Sequence, residues 1–114
     1  MIVDCNEFQA NMRTEELVPL EPLGAKFEAF GWSVKRADGH DFDELESALA
    51  TIPYHSGRPG VLIADTVRGK GLPNIERRAD RWFVNFTHEE VEMLLRELHG
   101  EKAARLTSET VVVR

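Results

Sequence analysis

Cysteine is nearly absent: there is one, Cys5, in 114 residues. A single thiol excludes an internal disulfide framework and suits a reducing, cytoplasmic setting. Long apolar runs are missing too. None approaches the roughly 20 residues that cross a bilayer as a helix, and no basic stretch followed by an apolar core marks a secretory leader. Basic charge is in the minority, with 14 Lys and Arg against 20 Asp and Glu, a formal charge of −6 and a pI near 5.2. That balance argues against nucleic-acid and anionic-membrane partners, which select basic faces. Internal repeats and low-complexity tracts are lacking. No Ser-His-Asp, CxxC, HExxH or Walker A arrangement occurs.

What is present fits an ordinary globular domain. Apolar residues make up 42% and charged residues 30%, so the chain can bury a core and is not disordered by composition. Residues 1–5 read as a short buried strand and 6–20 as an irregular polar stretch. Glu21 and Pro22 start a helix, with Leu23, Phe27 and Phe30 on one apolar face and Gly31 as its C-cap. WSVKRAD (32–38) reads as a second strand, closed by the turn DGHD. In that turn Gly39 is expected at positive φ, and Asp41 or Asp43 caps the next helix. That helix carries Leu45, Ala48, Leu49 and Ile52 on one stripe, and Pro53 stops it. VLIADTV (61–67) is nearly all apolar, the pattern of a strand covered on both faces. A loop of about 20 residues follows. Thr87 and Glu90 then form a capping box for a helix striped by Val91, Leu94, Leu95 and Leu98. Residues 1–100 are thus one unit, and 101–114 a helix extension or tail whose VVV suits a partner's sheet edge.

Strand, helix, strand, helix, strand, helix implies an α/β fold with a parallel sheet, flanking helices and right-handed crossovers. Three strands make a partial sheet with two open edges, and a first strand with no element before it is expected to lean on a partner. Ligands in such sheets sit beyond the carboxyl ends of the strands. Three loops end there: DCNEFQANM, DGHD and TVRGKG. Asp4 and Asn6 alternate on extended chain and share a face, so their hard oxygens suit Mg²⁺ or Ca²⁺; equally, they suit a strand-end turn satisfying local amides. Lys70 between two glycines is either an anion-facing loop with a point charge or a flexible turn. His40 is either an acid–base group or part of a structural turn, and Cys5 reads as a small buried residue.

The series IVDCNEFQ, LEPLGAKFEAFGW, RADGHDFDELESAL and GVLIADTVRGKGLP, with a Trp before an acidic helix, resembles transketolase over residues 2–98. The likeness is to the thiamine-diphosphate-binding N-terminal region, in the form encoded as a separate subunit in split transketolases. The resemblance implies a transketolase-like fold completed by a partner chain, with thiamine diphosphate and Mg²⁺ as cofactors. It also implies transfer of a two-carbon ketol unit from a small-molecule donor to an acceptor. Asn6 and the backbone carbonyl of Phe8 match the family's Mg²⁺ ligands. Ala10 matches the position near the thiazolium, and Lys70 and Gly71 the loop lining the approach to the cofactor. The remaining ligand, an aspartate in a GDG segment, lies upstream in the family. One partner would carry it and another the pyrimidine-binding domain.

Three positions depart from the family. A glycine is replaced by Met12, a bulkier residue by Ala10, and the histidine of a W-H-G-x-x-P segment by Phe83. Two readings follow. The chain is one piece of a multi-chain enzyme with an altered substrate, or it is a non-catalytic structural or regulatory subunit that keeps the fold.

Overall fold

A computed structural model describes residues 1–81 and 84–100. Trp82, Phe83 and the 101–114 tail with its VVV lie outside the described residues. The central sheet holds β1 (Ile2–Cys5), β4 (Ser33–Asp38) and β5 (Gly60–Asp65), all parallel, in the order β1-β5-β4. Register sets the faces, because side chains directly paired across parallel strands point the same way while successive ones alternate. Val3 and Arg36 flank Ile63 on one face, and Ile2 and Lys35 flank Leu62 on the other.

Helix α2 (Leu23–Ala29) covers the first face. Its Gly24 lies so close that a Cβ there would sit 3.6 Å from Val34 and 3.9 Å from Ile63. Helix α3 (Phe42–Ala50) covers the other, where Ala37, Ala48 and Leu62 form the core with Leu45 against them. β5 is therefore the buried centre, with Val61, Leu62 and Ile63 at 0–1% exposure. Its continuous apolar run reads correctly as a doubly covered strand. Asp41, not Asp43, caps α3, accepting hydrogen bonds from the backbone of Asp43 and Glu44. The capping box of Thr87 and Glu90 starts α4 (His88–His99) as expected.

Four expectations need correction. β1 is not buried: it pairs only with β5 among the described residues, and Ile2 is 61% exposed. Phe30, Leu49, Ile52 and Leu98, each read as part of an apolar helix stripe, are also exposed. Residues 6–20 are not irregular throughout. They hold a two-pair hairpin, β2 (Phe8–Gln9) with β3 (Met12–Arg13), and one helical turn, α1 (Thr14–Leu17). Finally, Gly39 does not adopt a positive φ. It is glycine for space: a Cβ there would lie 2.4 Å from Thr66 Cγ2 and 3.0 Å from the Asp65 carbonyl oxygen.

No helix among the described residues is long and apolar enough to cross a membrane.

Candidate cofactor site

The carboxyl ends of the three parallel strands meet at an open cleft of about 780 Å³, lined in part by Glu7, Arg13, His40, Thr66, Lys70 and Arg77. The loop after β1 is organised from within. Thr66 Oγ1 donates to one oxygen of Asp4. The other oxygen accepts from Asn6 Nδ2 at 3.0 Å, and Asn6 Oδ1 accepts from the Phe8 N–H at 2.9 Å. Asp4 is thereby a structural anchor with both oxygens in use. Asn6 closes a tight turn yet keeps a second lone pair on its oxygen.

That turn needs help. Glu7 and Ala10 both sit in the left-handed region, at φ 68° and 50°. Such backbone costs an L residue about 1 kcal/mol. Ala10→Gly is therefore expected to stabilise the chain by about 0.5 kcal/mol, raising the melting temperature by roughly 2–4 °C in scanning fluorimetry. An unchanged or lower melting temperature would contradict the strain at Ala10.

Arginines fasten the loop, Arg13 from within and Arg68 and Arg77 from outside. Arg68 Nη1 donates to the Ala10 carbonyl at 2.6 Å. The Arg68 and Arg13 guanidinium carbons lie 4.6 and 5.2 Å from the centre of the Phe8 ring, within cation–π range. Glu7 Oε2 faces Arg13 at 3.3 Å and Arg77 at 3.6 Å.

The loop after β5 turns at two glycines. Gly69 and Gly71 take φ values of 72° and 88°, with the Lys70 N–H bonded to Val67 O at 3.1 Å. A Cβ on Gly71 would meet nothing within 4 Å, so backbone conformation alone selects glycine there. His40 serves the turn: its Nε2 accepts the Val67 N–H at 2.7 Å. This ties the loop after β4 to the loop after β5, the structural of its two readings.

In the cleft lining, Arg36 holds three elements together. Its guanidinium contacts Asp65 at 2.7 and 2.8 Å and Glu21 at 2.8 and 3.2 Å. Glu21 in turn accepts the Leu23 N–H at 2.8 Å, at the start of α2. The Arg36 hydrogen bonds, then that backbone bond, hold the Glu21 carboxyl below its ordinary 4.5. Its stabilising effect is full above that value and lost as the pH falls through the lower folded one. Glu21→Gln should therefore flatten the acid limb of the melting-temperature profile as the pH falls below 4.5; an unchanged acid limb would contradict the assignment. Burial, then the Asp65 carboxylate, pushes the Cys5 thiol up, against the opposing pull of Arg36. Cys5 is thus a poor nucleophile, as read from the sequence, though only half-buried.

Of the residues singled out in the sequence, Cys5, His40 and Lys70 line the cleft, whereas Asp4, Asn6, Phe8, Ala10 and Gly71 do not. Asn6, Phe8 and Ala10 belong to one fastened loop next to cleft-lining Glu7. Sequence reasoning missed Arg68, Arg13 and Arg36. The partners of Arg36 and Arg68 lie 15 to 60 residues away, whereas those of Arg13, Glu7 and Phe8, are six and five residues away. The TVRGKG segment contains Arg68 but gives no sign of its target.

A family profile described as transketolase, thiamine diphosphate binding domain, matches residues 1–109. The chain belongs to the transketolase family. The 6-deoxy-6-sulfo-D-fructose transketolase subunit SqwG of Clostridium sp. is 36% identical over 100 residues, covering 88% of this chain and 36% of that protein. An apulose-4-phosphate transketolase subunit of Phocaeicola vulgatus is 32% identical over 109 residues, 95% of this chain and 38% of that one. The chain thus spans about a third of the length of these curated transketolase relatives, at 36% and 38%. The crystal structure of transketolase from Campylobacter jejuni superposes with a TM-score of 0.71 at 26% identity, covering 86% of this chain and 15% of that one. The parallel sheet with helices on both faces is therefore a transketolase-like fold.

The donors this transketolase-family chain offers a Mg²⁺ ion fit in kind. The Asn6 amide oxygen and the Phe8 carbonyl are hard oxygen ligands. Both are uncharged, and no group of three or more His, Cys, Asp or Glu side chains suited to a metal occurs among the described residues.

Proposed function

We propose that this chain is one subunit of a multi-chain, thiamine-diphosphate-dependent transketolase-like enzyme, contributing part of its Mg²⁺–diphosphate site. The observation that carries this is the match to the thiamine diphosphate binding domain over residues 1–109. Two of the relatives are named as transketolase subunits, which supports assembly with other subunits here.

In this reading Asn6 Oδ1 and the Phe8 carbonyl hold Mg²⁺, and a partner's aspartate supplies the missing charge. Asp4, fixed by Thr66, aims the Asn6 amide by accepting its N–H. Lys70 and the Gly71 turn face the diphosphate with a point charge and backbone donors. Ala10 leaves room beside the thiazolium. Thiamine diphosphate, when bound, supplies the electron sink that ketol transfer requires. A second partner contributes the pyrimidine-binding domain, so a heteromer is expected. The names of the two relatives include a sulfosugar and a sugar phosphate. A ketose with an acidic group is accordingly the donor class we favour, and the cytoplasm the setting that suits a lone thiol.

Phe83 favours a second reading, a non-catalytic subunit that keeps the fold, since it offers no hydrogen bond or charge where the family has a histidine. Ketol transfer assayed on the copurified subunits separates the two. The first reading predicts that removing this chain abolishes turnover. Full activity from the partners alone would leave only the second.

A further inference from the structure

We infer that Arg68 is a positioning residue for the metal-facing loop, joining the loop after β5 to the loop after β1. The inference rests on the proposed reading in which Asn6 and the Phe8 carbonyl face Mg²⁺. The need for such a residue is visible in the loop. Its hairpin has two residue pairs, Phe8 with Arg13 and Gln9 with Met12, too few to hold their own shape. Two of its residues, Glu7 and Ala10, are non-glycines in the left-handed region. Backbone of this kind persists only where surrounding contacts over-determine it.

Arg68 makes those contacts at the start of the first hairpin strand and at the turn that follows it. Its guanidinium lies over the Phe8 ring at 4.6 Å and donates to the Ala10 carbonyl at 2.6 Å. A planar group that stacks and donates at once is a role lysine does not reproduce. The backbone of Arg68 adds a further link. Its carbonyl accepts the Arg77 N–H at 2.9 Å, and the Arg77 guanidinium reaches Glu7 at 3.6 Å. Motion of the Lys70 loop therefore reaches the Asn6 loop through residue 68. The two segments assigned to the metal and to the diphosphate are held as one surface.

Hydrogen exchange on the full chain and Mg²⁺ titration of the copurified subunits at fixed thiamine diphosphate test this together. In Arg68→Ala, the Phe8 and Thr14 amides, bonded to Asn6 Oδ1 and Glu7 O, should exchange at least tenfold faster. The Leu62 and Ile63 amides of β5 should not change. The Mg²⁺ concentration for half-saturation should rise at least tenfold. Arg68→Lys should fall between wild type and alanine in both. Unchanged loop exchange would overturn the inference, and so would faster exchange with unchanged Mg²⁺ dependence. If Arg68→Ala also loosens β5, the lysine variant decides by the same two readouts. Asn6→Ala run in parallel separates the failures. If it abolishes Mg²⁺ dependence and Arg68→Ala does not, only the role of Arg68 falls. If neither variant has an effect, the cofactor reading falls with it.

Discussion

Asn6→Ala is expected to weaken Mg²⁺-dependent thiamine diphosphate binding by the assembled enzyme about 100-fold or more. Loss of a group that merely orients a metal ligand already lowers affinity by about 10–100-fold. Asn6 is assigned as a ligand and is also the knot of its own turn, donating to Asp4 and accepting from Phe8. Alanine removes both roles. The fold should survive. Asn6 is only partly buried, and a net hydrogen bond contributes about 0.5–1.5 kcal/mol, so the melting temperature should drop by a few degrees. Asn6→Asp is the informative companion. It keeps an oxygen donor but sets a second carboxylate against Asp4 and loses the N–H that Asp4 accepts. It should retain more Mg²⁺ dependence than alanine while costing comparable stability. Titration calorimetry with a parallel melting curve distinguishes a lost ligand from a lost fold. Cofactor affinity within a factor of two of wild type in Asn6→Ala would contradict the assignment.

Gly39→Ala is expected to have the largest effect on stability among the changes considered. The added methyl would meet Thr66 Cγ2 at 2.4 Å, the Asp65 carbonyl at 3.0 Å and Ala64 Cβ at 3.3 Å. The backbone oxygen belongs to the central strand and the methyl to a short, stiff side chain. Thr66 cannot swing aside freely, because its hydroxyl is bonded to Asp4. Overpacking of this kind costs about 1–3 kcal/mol, or roughly 4–8 °C of melting temperature per kcal/mol in a domain of this size. The strain also travels. A displaced Thr66 releases Asp4, and Asp4 holds the Asn6 amide. Cofactor affinity should fall with stability, although Gly39 touches neither proposed metal ligand. Gly71→Ala is the contrast: nothing lies within 4 Å of its added carbon, so only the φ of 88° opposes it. Equal melting temperatures for the two variants would contradict the steric account of Gly39.

How far the fold was legible follows from where its information lies. β5 announced itself because burial on both faces demands an unbroken apolar run, and the capping box at Thr87 and Glu90 is a purely local signal. The hairpin at 8–13 gave no such signal. Its turn uses Ala10 and Asn11 where a tight hairpin ordinarily shows glycine, and arginines from elsewhere stabilise it. Gly39 looked like a turn glycine, but its cause is the approach of β5, which no local pattern encodes. β1 looked buried because apolar content marks what a strand is able to bury, not what covers it. At the site, Asn6, Phe8, Ala10, Lys70 and Gly71 were named from resemblance. Local chemistry alone left Asp4 and Asn6 open between ligand and turn. The loop shows a turn, with a lone pair of Asn6 to spare. The Arg36 link to Asp65 and Glu21 depends on register and was invisible in sequence.

Titration of thiamine diphosphate, at saturating Mg²⁺, into the copurified subunits with and without this chain is the most direct test of its place in the cofactor site. Binding should be saturable with the chain present, and at least tenfold weaker without it or with Asn6→Ala in its place. Equal affinity in all three preparations would contradict a contribution of this chain to the site.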